Sequence, residues 1–283
     1  MTTPIWQVAC AMLAYSAFLF AVSEFARRRV RMFLVLHVIV LATVPFWIHD
    51  LFGSWFKVAK LLSCVLPPIV YSASRVAFQE GEPTALRRFL RRNWAYVFAY
   101  SCIQINISEI VLDDFLAGRY FHVFSGCVLG LTLANPFGDK AWSIETETPR
   151  REALVRLSPA WTVLYTTWNL ASLYAMDPVY LGHAASLLAA PLAYSLLLGR
   201  PDLWMSARVY TALTGVIILW SGHDFVTPFM DTTPLRSPDA VVWWGAVNAV
   251  LFACYLARWL TQRGKVSWGL AGLEKTALRS AAK

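Results

Sequence analysis

Residues 93–116 read NWAYVFAYSCIQINISEIVLDDFL. Fourteen of their first twenty positions are apolar, and twenty residues is about the length a helix needs to cross ~30 Å of hydrocarbon. A basic run (Arg87, Arg88, Arg91 and Arg92) precedes the stretch, and Asp113-Asp114 closes it. Inside it, Asn106, Glu109 and Asp113 share one helical face through i, i+3 and i+4 spacing.

The same pattern recurs outward in both directions. Apolar stretches occupy about 4–25, 32–51, 55–75, 93–112, 119–136, 156–176, 180–199, 203–222 and 239–260, each close to a membrane-crossing length. Composition agrees: 58% of the 283 residues are hydrophobic and 15% charged, so a bilayer is the fitting solvent. Thirteen Trp suit the membrane–water interface. The fold class is all-α, a polytopic transmembrane bundle of about nine helices over residues 1–264, with a short cytoplasmic tail at 265–283. The segment 119–136 is the shortest and ends in Asn135-Pro136; a re-entrant helix there would leave eight crossings.

Loop charge orients the bundle. With the N-terminus outside, the inner loops hold Arg27, Arg28, Arg29 and Arg31, then Arg87 to Arg92, then Lys140, Arg150, Arg151 and Arg156, then Arg200, followed by the basic tail. The opposite loops hold Asp50, Asp113, Asp114, Asp177, Asp224 and Asp231 and few cations. This is the positive-inside asymmetry; it needs an odd number of crossings and keeps the fifth segment as a span. A cell-membrane location, in the inner membrane of a bacterium, follows. The first apolar stretch lacks a basic leader, so it reads as a retained helix and not a cleaved signal. The loop from 138 to 152 reads as a solvated connector, and the tail as amphipathic or disordered.

Net charge of +8 sits in these short loops, which excludes a nucleic-acid partner. Five scattered Cys and five unpaired His give no metal or disulfide pattern, and no cofactor motif is present. The expected partners are the lipid bilayer and a small solute or ion; oligomeric state is not readable.

Polar residues inside apolar spans are costly and carry the functional lead. Lys57 and Lys60 lie on one face of the third segment. At ~1.5 Å rise per residue, antiparallel packing against the fourth segment brings Lys57 level with Asp113 and Lys60 level with Glu109. Asn106 lies nearby, while Asn169 and His183 add polar groups from later segments. Lys60, Asn106, Glu109, Asn169 and His183 are thus the candidate solute or proton pathway, in a cavity of the outer half. The competing reading is that buried pairs and amides only hold helices together. Glu24 is accounted for by a local pair with Arg28, and Arg75 and Arg208 read as interfacial anchors. Pro67-Pro68 kinks the third segment.

Three motifs carry a resemblance. Gly53, Trp55, Phe56 and Lys60 form G-x-W-F-x-x-x-K; residues 106–115 form N-I-x-E-x-V-x-x-D-F; Trp168, Asn169, Ala171 and Tyr174 form W-N-x-A-x-x-Y. With Glu24 and Arg27-Arg28, the chain from about 20 to 215 resembles an uncharacterised bacterial family of multi-pass membrane proteins, a domain of unknown function. The resemblance implies weight for Lys60, Asn106, Glu109, Asp114 and Asn169, which adds Asp114 to the candidate pathway, and it implies no activity. A transporter or channel is the leading function, ahead of a membrane enzyme acting on lipid and of a sensory or assembly subunit.

Overall fold

A computed structural model describes residues 4–47, 55–79, 84–136, 141–145, 147–221 and 228–281; within these, the side chains at 44–47, 55–57, 59–60 and 263–281 fall outside the description. Of the described residues 82% are helical, as an all-α bundle requires. The helices are α1 (Ile5–Arg28), α2 (Val30–Trp47), α3 (Trp55–Gln79), the short α4 (Ala85–Leu90), α5 (Trp94–Leu116) and α6 (Tyr120–Thr132). After a small hairpin come α7 (Pro159–Met176), α8 (Leu181–Leu197), α9 (Trp204–Ser221) and α10 (Pro238–Ala281). The backbone of α10 stays helical through the segment expected to be a tail.

Among the described residues five helices are long and apolar enough to cross a membrane: α1, the Leu61–Gln79 part of α3, α5, Pro201–Ser221 and Pro238–Gln262. Three further apolar helices among the described residues are shorter, including α6 with 13 residues. At ~1.5 Å per residue α6 reaches about 20 Å, less than the hydrocarbon thickness. The exterior is that of a membrane protein. Leu13, Ile39, Ile105 and Val250 stand exposed in mid-helix, whereas Ser72, Asp114, Thr162, Asn169 and Asn248 are buried.

α7 runs through the centre. Eleven of its 18 residues are buried, including Trp161, Tyr165, Trp168 and Asn169. Trp161 stacks on Tyr165 at 5.3 Å, and both meet the edge of Trp204 from α9. Close approach is bought by a missing side chain: a Cβ on Gly126 of α6 would lie 2.6 Å from the Trp168 ring.

One expectation fails at the arginine-rich end of the bundle. The segment read as a solvated connector folds into an antiparallel hairpin, β1 (Trp142–Ile144) and β2 (Ala153–Val155), paired Ser143 to Leu154. Ala153 and Val155 are buried, and Trp142 stacks on Tyr96 with rings 5.9 Å apart. Ser206 Oγ donates to the Ala153 carbonyl at 2.7 Å. The hairpin's apolar side belongs to the core although its polar residues mimic a loop.

Arg75 is likewise no surface anchor. It is 2% exposed. Its Nε donates to the Arg151 carbonyl at 3.0 Å. Nη1 donates to the Ala26 carbonyl at 3.0 Å and to the Tyr210 hydroxyl at 3.2 Å. Nη2 donates to the carbonyls of Arg27 at 2.8 Å and Arg150 at 3.0 Å. All five N–H groups of the guanidinium are used. Arg151 is held at φ 49, a left-handed conformation that costs a non-glycine residue of order 1–3 kcal/mol, and its carbonyl is one of those that Arg75 binds.

Candidate functional site

A cavity of about 210 Å³ lies between α3, α5, α7 and α9. Its lining includes Ser63, Cys64 and Pro67 from α3, Asn106 from α5, Tyr165 and Asn169 from α7, and Arg208 from α9. Local sequence explains the wall on α3. Pro67 and Pro68 lack the amide N–H groups that a regular helix would direct at the carbonyls four residues earlier, on Ser63 and Cys64. The bundle is therefore opened beside the prolines. On α5 the lining runs from Ala99 to Ile110, about 16 Å of helix. The cavity is thus at mid-depth, where the sequence placed it in the acidic, outer half.

Two of the six sequence candidates, Asn106 and Asn169, meet here. Asn106 Nδ2 donates to the Cys102 carbonyl at 2.8 Å, and Asn169 Nδ2 to the Tyr165 carbonyl at 3.0 Å. Each amide is thereby pinned to its own helix. Lys60 lies on helical backbone, but its side chain is outside the described residues, so the Lys60–Glu109 pair cannot be placed. Glu109 is half-buried on α5 and does not line the cavity.

The residue missed by sequence reasoning is Arg208. It stands one turn inside α9, and its Nε and Nη1 are buried without a hydrogen-bond partner. Tyr210, two residues on and so ~200° around the helix, serves Arg75 instead. Arg208 is the one charged residue among the described lining. Its position near a helix end made it look like an interfacial anchor; only the neighbouring helices show that it points inward.

Asp114 sits elsewhere, in a second polar cluster. α5 ends at Leu116, and Gly118 at φ 72 turns the chain back in the left-handed conformation glycine tolerates. This returns Arg119, whose Nε donates to Asp114 Oδ1 at 2.6 Å. Ser172 Oγ donates to Asp114 Oδ2 at 2.9 Å, and His122 Nδ1 lies 3.3 Å from the same Oγ. With the hydroxyl proton committed to Asp114, Ser172 accepts from His122. Asp114 and Ser172 are fully buried, and the cluster ties α5, α6 and α7 together. His183 is in a third place, buried on α8 and stacked on Tyr15 at 5.1 Å, with Nδ1 unpartnered.

A charged network closes the arginine-rich end. Arg27 grips Glu24 at 2.8 and 2.9 Å and reaches Glu152 at 3.2 Å. Arg200 lies 3.5 Å from the other Glu152 oxygen. Arg28 also bonds Glu24, which accepts from Tyr194 at 2.7 Å. Its hydrogen bond to Asp202 raises the Arg200 pKa above the ordinary arginine value, against the opposing effect of partial burial. Glu24 is therefore part of a link between α1, α8 and the hairpin, more than the local pair its spacing suggested.

Among the described residues no three His, Cys, Asp or Glu side chains gather as metal ligands. Compared with protein-family models, curated proteins and solved structures, the chain matches none.

Proposed function

We propose that this chain is a multi-pass transporter or channel of a bacterial cell membrane, N-terminus outside, that passes a small solute through the cavity between α3, α5, α7 and α9. The single observation that carries this reading is a space of about 210 Å³ within a helix bundle, whose largely apolar wall is interrupted by Asn106, Asn169, Tyr165 and Arg208. Polar groups at such depth are expensive to bury and are kept where they face water or a solute. The double proline supports it, because interrupted helices in membranes line cavities. The asymmetry of loop arginines supports the orientation.

Flux into proteoliposomes tests the reading with nitrate, acetate, lactate, glycerol and urea as probes. At least one enters faster than into protein-free vesicles, and Asn169→Leu lowers that rate tenfold or more. Equal entry with and without protein for all five sinks the proposal, and so does full flux in Asn169→Leu.

A further inference from the structure

The charge in the cavity names a class of solute. Guanidinium groups stay protonated in proteins, so an arginine turned inward cannot escape its charge by losing a proton. An isolated charge in the membrane interior costs several kcal/mol unless it is paired. This fold can satisfy an arginine fully, as Arg75 shows with five hydrogen bonds. The Nε and Nη1 of Arg208 are buried without a hydrogen-bond partner, and no carboxylate stands with it among the described lining residues. The two amides in reach of the same space are bonded to carbonyls on their own helices.

We infer that the cavity binds a small monovalent anion, with Arg208 as its counter-charge and the amides of Asn106 and Asn169 as polar walls. Valence follows from balance: one guanidinium compensates one negative charge, and a divalent anion would leave the second uncompensated in a low-dielectric site. The volume, about 210 Å³, suits a halide or a short carboxylate. The inference rests on the pathway reading for its site and adds the sign and valence of what occupies it.

The test uses the full chain in nanodiscs, with chloride, nitrate, acetate and lactate as probes and sulfate at matched ionic strength as reference. A ligand that binds the folded state raises the melting temperature in a saturable way. At least one monoanion does so for the wild type, sulfate does not, Arg208→Met abolishes the effect, and Arg208→Lys weakens binding tenfold or more. Should Arg208→Met fail to give a monodisperse protein, Arg208→Gln takes its place. The inference is overturned if no monoanion stabilises the wild type beyond sulfate, or if the variants without the charge respond as the wild type does. Glycerol or urea flux that is lost in Asn169→Leu and unchanged in Arg208→Met would overturn the anion and leave the pathway standing; absence of all flux would remove the pathway too.

Discussion

Arg75 and Arg208 are both helical arginines on adjacent elements, α3 and α9, and their surroundings are opposite. Arg75 is enclosed by four backbone carbonyls and the Tyr210 hydroxyl, drawn from α1, α9 and the approach to β2. Arg208 faces a cavity, with its Nε and Nη1 buried and without a hydrogen-bond partner. A buried charge with every donor met is a structural clamp, whereas one with donors unmet is a place for something else to bind. The same residue type thus marks the rigid end of the bundle and its receptive middle.

The difference can be broken at either member. Arg75→Met leaves buried carbonyls without donors and removes the tie between α1 and the hairpin, and should cost about 3–5 kcal/mol. Thermal unfolding in detergent reads this, and a melting temperature equal to wild type would mean that the clamp is ornamental. Asp114→Asn, which weakens the Arg119 ion pair at 2.6 Å, should cost about 2 kcal/mol, less because Arg119 keeps some contact with solvent. A loss as large as that of Arg75→Met would move the structural keystone to the acidic end. Arg208→Met should change stability by less than ~1 kcal/mol, or raise it, because it removes an uncompensated charge. Strong destabilisation there would show that Arg208 is another clamp.

The helices were legible because runs of about twenty apolar residues have few alternatives. The convergence of Asn106 and Asn169 was legible from the cost of burying amides. The hairpin was not: its strands have three residues each, and the surrounding Glu and Arg residues look solvated until Glu152 is seen buried between Arg27 and Arg200. Arg75 and Arg208 were misread for one reason. Position along a helix gives depth, but only the neighbours decide whether a side chain points to lipid, to a carbonyl cage or into a cavity. Asp114 was singled out only by the resemblance, and its partners Ser172 and His122 come from helices whose packing no single span encodes.

The acceptors of Arg75 are far apart along the chain: Ala26 and Arg27 precede it by about fifty residues, while Arg150 and Arg151 follow it by some seventy-five. During synthesis α1 and α3 therefore leave the ribosome well before the hairpin exists. The full set of Arg75 acceptors is complete only when translation has passed Tyr210, which makes the closing of this end a late event.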